Sequence, residues 1–583
     1  MQKHYLLGLI SLLLLSCQPP QAPVNTLEAL VADYWNKQLA TRPDLSIKYE
    51  HPLEEIRPFS EETNRQDAAW AASFLERLQE LDTTGMAHED LLSYLLLEKK
   101  ASHLLEASRF FHLQFPVTPY ASPFRKLYQF FGLLPITTQE AATQYLKLGK
   151  DYVQLVRSIQ NHLEWQMAQG IVLPEPEIQL VMPYLKSLIR SPENHPLMVS
   201  QERLGSLSAE AQTQFRDELT KLLSEELNPA FEQLLAFVSG DYLSKAGSTV
   251  GLYQYPDGEA YYRFLIRYHT SQELEPEDIH RIGLAEVDRI NQEMAKIREE
   301  IGFSGDKAAF MEFLRTDKRF FPETPEAVGQ LLMSHNDRIL PLIDRYFNAM
   351  PKAPFGVKRL DPSLEASMTF GYYEVPTPQN DTGFYRFNGS GLDQRPLVNA
   401  AALTYHELIP GHHFQLNLQN ENTALPLFRR EDHFTAYSEG WGEYASGLAD
   451  EIGLLEDPYD RYGRLLMDMF LSVRLVVDSG MNHLKWTREE AMEFMRQNII
   501  ESEVQLATET LRYSTDLPGQ ALAYKTGSLK LLQLREKARK ALGDLFDIKR
   551  FHDALLQTGS MPLDIVEEHI NWFIEQEKTQ LLQ

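Results

Sequence analysis

The chain has 583 residues, of which 43% are hydrophobic and 11% aromatic, and its 56 basic and 82 acidic side chains give a formal net charge of −26. That length supplies ample apolar material for a large globular body, but a helical enzyme can wrap many helices round one cleft, so length alone sets no domain count. The acidity argues against a nucleic-acid partner, which would need a basic face, and it serves solubility instead.

Lys3 and His4 precede the apolar run YLLGLISLLLL. It has the length of a signal-peptide core and is too short for a comfortable membrane span, so residues 1–16 read as an export signal. The run ends in LLSC, and Cys17 is the only cysteine, which leaves no intramolecular disulfide. The position of Cys17 after Leu14, Leu15 and Ser16 resembles the lipobox of bacterial lipoproteins, where the cysteine after the cleavage site carries lipid. That resemblance implies attachment to the membrane through the lipid anchor alone, facing the periplasm or the cell surface. Gln18, standing where an aspartate is absent, resembles outer-membrane sorting. Residues 17–26 then form the lipidated cysteine with a Pro-rich tether, QPPQAPVNT, and residues 27–583 form the folded domain.

Beyond the tether, apolar residues recur at three and four through 91–111, 140–163 and 211–238, which predicts core helices. Ser208 and Ser271, each followed by early acidic residues, are predicted helix caps. From about 357 to 395 the pattern changes to Tyr, Phe, Gly, Pro and Asn without helical period, so short strands and turns are expected. Within it GFYRFN (383–388) is a candidate strand edge for holding a peptide by strand addition, with Tyr385 as its substrate-binding residue; an ordinary packing hairpin reads equally well.

Thr404 to Gln415 read TYHELIPGHHFQ. In H-E-x-x-H two histidines project from one helical face onto a metal while the glutamate acts on water. Here Pro410 stands where the second histidine would be, so the helix must kink, bulge or stop. At roughly 100° per residue His413 would share the face of His406 about two turns away, but the distortion can reverse that, and spacing leaves His412 and His413 both open. The next predicted helix, 434–453, carries Glu439 and Glu443 one turn apart; Glu439 is the expected third ligand, and Glu443 either orients a ligating histidine or is a solvated carboxylate.

The blocks HELIPGHHFQ, YSEGWGEYA and RYSTDLPGQALAYKTG occur in that order. They resemble the signatures of a bacterial family catalogued as domain-of-unknown-function family eight-eight-five, grouped with zincin metallopeptidases. Its pattern H-E-x-x-P-G-H implies His412 as second ligand and His413 as a neighbour near the site. The catalytic blocks fall at about 357–530. The resemblance also extends to RLVVDSGMNHLKWTREEA (474–491), where the family usually shows a histidine four residues after the aspartate; here Asn482 stands there and His483 follows, a candidate substrate contact, with Asp478 as a buried hydrogen-bond partner.

The chemistry expected is peptide hydrolysis with one Zn2+ held by His406, His412 and Glu439, Glu407 as general base, and Tyr524, with Tyr513 behind it, stabilising the oxyanion. Arg512 is a candidate partner for a substrate C-terminal carboxylate. The expected substrates are short peptides, cut by a carboxypeptidase or an oligopeptidase. A zinc amidase acting on cell-wall or other amides and an inactive surface lipoprotein serving as a binding module are the rivals, although an intact Glu407 argues against the last. The fold expected is mainly α: a large multi-helical, two-lobed shell around a cleft with a small β-sheet beside the metal helix, similar to zincins of the thimet-oligopeptidase and Taq-carboxypeptidase kind.

Overall fold

The computed structural model describes residues 25–365, 371–377 and 380–580. The export signal, Cys17 and most of the tether lie outside these residues. The fold is mainly α, with one small sheet. No helix among the described residues is long and apolar enough to cross a membrane.

The three periodic segments form helices His88–Ala107, Gln139–Ala168, and Ala209–Leu222 running on into Asn228–Phe237. Between the last two lies a widened turn, Leu223–Leu227. It precedes Pro229, which has no N–H for the carbonyl four residues back, and a wider turn relieves that clash. Ser208 caps its helix by accepting the amide of Ala211. The expectation for Ser271 is corrected: it ends the helix Gly258–Thr270 in a left-handed conformation (φ 55°, ψ 28°), and the next helix, Pro276–Ile301, starts after Glu275. Pro276, with its fixed φ and missing N–H, is suited to a first turn and sets that start.

One apolar core is built almost wholly from residues 53–279, around Phe131, Tyr152, Leu223 and Phe231, with Leu475 and Leu522 reaching it from far downstream. A second joins the N-terminal helices, through Leu30, Phe74 and Leu96, to Trp441, Leu534 and Ile570. A third packs Ile290 and Phe310 against Met469, Val473 and Tyr513. The helix Pro458–Asn482 is buried almost all round from Tyr462 onward, and its buried charges Asp468, Arg474 and Asp478 are each held by partners. It forms one wall of a cleft whose opposite rim, Tyr120 and Arg125, belongs to the first core's segment.

The sheet has strands β1 (Phe355–Arg359), β2 (Gly371–Glu374) and β3 (Gly383–Phe387) in the order β1-β3-β2. β3 pairs parallel with β1 and antiparallel with β2, with Tyr373 opposite Tyr385. Both edges of β3 are therefore occupied, which corrects the expectation that GFYRFN offers a free strand edge. Its alternating residues face a small core instead, and Tyr385, 1% exposed, packs there with Leu332 and Leu408. The outer strand β2 reaches the cleft, through Tyr372 and Tyr373.

Candidate active site

The helix Ala400–Glu407 stops at Leu408, whose φ of −104° and ψ of −115° are non-helical, and a new helix begins at His412. Pro410 has no amide hydrogen to give the His406 carbonyl, so the first helix cannot continue through it. The Ile409–Pro410 peptide is cis. Two distant groups hold the turn: Trp441 Nε1 donates to the Pro410 carbonyl (2.8 Å) and the Ile409 amide donates to Asn336 Oδ1 (3.2 Å).

This break brings His412 back beside His406. Donor atoms of His406, His412 and Glu439 all lie within 4.8 Å of one another, close enough to share a metal ion. Glu439 Oε2 is 3.5 Å from His406 Nε2 and 3.3 Å from His412 Nε2. One turn on, Glu443 Oε1 lies 2.8 Å from His406 Nδ1. Between the two glutamates Gly442 leaves room for the imidazole, since a Cβ there would come within 2.7 Å of the His406 ring. Burial alone would lower the His406 pKa, but the Glu439 and Glu443 carboxylates outweigh it and hold the imidazole well above its usual value. Burial likewise opposes ionisation of Glu439, yet His406 and His412 hold it well below the carboxylate range. The cluster thus favours positive charge at the point where the three side chains meet.

His413 faces the other way. Its Nδ1 lies 2.8 Å from the Tyr373 hydroxyl, its ring packs on Phe355, and burial lowers its pKa to about 4. Asn417 donates to the same tyrosine oxygen (2.8 Å), so His413 ties the second helix to the sheet.

Glu407 is 7% exposed and lines the cleft beside the cluster. Its Oε2 has no hydrogen-bond partner. Burial pushes its pKa up, and the positive field of His412 and His406 offsets this only in part. A carboxylate placed so is a proton acceptor waiting for a donor in the cleft.

The facing wall carries Arg474, Glu509, Arg512 and Tyr524. Burial, reinforced by Glu439, raises the Tyr524 pKa against the pull of Arg512 and Arg474, so its hydroxyl keeps its proton. Tyr513 does not reach the cleft. It is fully buried, accepts from Arg474 Nε (2.7 Å) and bonds to Glu509, so it holds those two side chains rather than facing a substrate. His483 also departs from expectation: its Nε2 sits 2.6 Å from Glu277 Oε1, away from the cleft. Asn482, buried at the end of its helix, accepts the Leu252 amide (3.0 Å) and donates to the Tyr513 carbonyl (2.9 Å). Asp478 is buried as expected, accepting from Tyr262 (2.7 Å) and the Gly519 amide (3.0 Å).

Helices Thr435–Glu451 and Leu522–Leu542, bearing Glu439 and Tyr524, meet backbone to backbone. A Cβ on Gly440 would lie 2.6 Å from the Gly527 backbone, and one on Gly527 would lie 2.1 Å from the Ala436 carbonyl oxygen.

Sequence reasoning missed Arg474, Glu509, Tyr373 and His433 as cleft residues. Arg474 had a legible signal, a lone cation inside the apolar run FLSVRLVV, because a charge so placed is retained only with partners. The other three carry no local signal.

Residues 44–570 match a family described as "Bacterial protein of unknown function (DUF885)". No curated protein matches the chain. A crystal structure described as a candidate lipoprotein from Colwellia psychrerythraea is similar at 27% identity and a TM-score of 0.85, covering 94% of this chain and 99% of its own. A second, a candidate lipoprotein of unknown function from Shewanella oneidensis, shares the fold at 16% identity and a TM-score of 0.71, over 93% and 99% of the two chains.

Proposed function

We propose that this chain, which belongs to the DUF885 family, is a zinc-dependent metallopeptidase that hydrolyses short peptides. The observation that carries this reading is the convergence of His406, His412 and Glu439 beside Glu407, whose Oε2 has no partner. The donor set fits a metal: two imidazoles and one carboxylate favour a cation between them, and His412 Nδ1 is buried without a partner, leaving Nε2 to face the shared point. Two nitrogens and one carboxylate, with room for water, suit zinc.

The chemistry supplied by a bound zinc ion is Lewis acidity, which makes water acidic near neutrality and polarises a carbonyl. Glu407 takes the proton of the attacking water and delivers it to the leaving amine. Glu443 fixes the His406 ring through Nδ1, so that Nε2 faces the cluster. Tyr524 donates its hydroxyl proton to the oxygen that gains charge as the carbonyl becomes tetrahedral. The buried position of the cluster shields the charges from bulk water and strengthens each of these contacts.

The same reading puts the protein on the cell envelope through a lipid on Cys17, supported by neighbours in fold described as candidate lipoproteins and by the resemblance of the Cys17 flanks to a lipobox.

The test is elemental analysis and peptide hydrolysis on a soluble form lacking residues 1–17. The expected result is one zinc per chain, lost in His412→Ala and kept in Glu407→Gln, with hydrolysis abolished in both. Absence of metal after zinc loading, or full activity in Glu407→Gln, overturns the proposal.

A further inference from the structure

We infer that the cleft is an exopeptidase site that releases the C-terminal residue of a peptide when that residue carries a large apolar side chain; this rests on the metallopeptidase reading and specifies its substrate. The first observation is a second cavity that adjoins the metal cleft. Leu403, Met467 and Phe470 line both, and the cavity continues between Leu332, Phe387 and Ile499. These apolar walls accept an aliphatic or aromatic side chain, while Asn388, Arg395 and Glu501 make the rest of the lining polar.

The second observation fixes which side of the scissile bond enters it. Leu403 lies one turn before Glu407 on the same helix, so the cavity opens on the side of the general base. In hydrolysis the C–N bond breaks, hydroxyl from water joins the acyl carbon, and the proton taken by Glu407 goes to the amine. The residue bearing that amine, on the C-terminal side, therefore lies beside Glu407 and the cavity.

The third observation is charge. The Arg474 guanidinium lies over the Phe470 ring, 4.3 Å from its centroid, directly above the cavity wall. Arg474 and Arg512 flank one carboxylate, Glu509, at 3.3 and 3.6 Å, and Arg512 Nε is buried without a partner. Two guanidiniums on one carboxylate leave a positive charge at the cleft, matched to an anion. A residue with its side chain past Phe470 would set its α-carboxylate against this pair, and a peptide with a further residue there would leave the surplus positive charge that Glu509 does not cancel without an anion.

The experiment measures binding by calorimetry to the zinc-loaded Glu407→Gln protein, using acetyl-Ala-Ala-Phe, its C-terminal amide, and acetyl-Ala-Ala-Gly. The expected result is that the free acid ending in Phe binds about tenfold tighter than its amide and than the Gly peptide. Arg512→Met removes the acid–amide difference, and Leu392→Trp, which fills the cavity from the turn Leu392–Gln394, removes the Phe–Gly difference. Equal binding of acid and amide overturns the inference, and that comparison needs no variant at the arginines. On the active protein, release of free phenylalanine from the acid is expected. Equal cleavage of a C-amidated peptide overturns the inference and leaves the metallopeptidase standing. Selective binding of the acid with no hydrolysis in the active protein overturns the metallopeptidase reading and the cleavage part of the inference, and leaves a binding site for apolar C-terminal residues.

Discussion

His406 is held from both sides by one helix: Nδ1 lies 2.8 Å from Glu443 Oε1, and Nε2 faces Glu439 Oε2 at 3.5 Å. A carboxylate behind a ligating imidazole fixes its tautomer and raises its basicity. Glu443→Gln should therefore weaken zinc affinity by about 10–100-fold while the fold persists. Competition against a chelator, with circular dichroism as the control, measures it; unchanged affinity would refute the role.

Gly442→Ala places a methyl group where the His406 ring now sits, 2.7 Å from its atoms. The ring cannot retreat without leaving Glu443. The expected cost is about 1–3 kcal/mol of stability, from overpacking, together with loss of zinc. Thermal unfolding and metal content of the variant report the two effects separately.

Tyr524→Phe removes one hydroxyl from the cleft wall and leaves the cluster intact. In the proposed mechanism the hydroxyl acts on charge that appears only in the transition state, so kcat should fall by about 10–1,000-fold with little change in KM. A comparable rise in KM at constant kcat would show that Tyr524 binds substrate instead.

Lys525 is buried against Asp468 and lies 2.7 Å from Glu286. Burial opposes the Asp468 charge, but Lys525, Arg464 and Arg289 overcome it and lower its pKa to about 2, from an ordinary 3.8. A carboxylate depressed on folding stabilises the native state above pH 3.8 and loses that contribution as pH falls toward 2. Asp468→Asn should cost about 3–5 kcal/mol at pH 6, and its deficit against the parent should shrink below pH 4. Denaturant midpoints for both proteins between pH 6 and 3 test this; a deficit independent of pH would mean the loss is one of packing.

The helices and the histidine-rich stretch were legible because their signals are local: apolar residues at three and four, and chemistry crowded between Thr404 and Gln415. What separates His412 from His413 is not local. The turn between the two helices is held by Trp441 and Asn336, 31 and 73 residues away, and His413 is drawn off by Tyr373, 40 residues upstream. Spacing alone could not encode those partners, and the family pattern supplied the choice of His412. The strand reading of GFYRFN was sound for conformation but wrong for its edge, because strand order depends on pairing with β1 and β2 rather than on the strand itself. His483 was misread for a similar reason: Asn482 ends the buried face, and the next residue points outward to Glu277.

The glycine contact between Thr435–Glu451 and Leu522–Leu542 has a mechanical consequence. Helices that touch through bare backbone have no side chains at the crossing to re-pack, so they cannot slide or roll without a clash. Glu439 and Tyr524 consequently travel as one stiff block. Breathing of the cleft must come from its other walls, β2 and the rim bearing Tyr120, while the span between carboxylate and phenol stays constant.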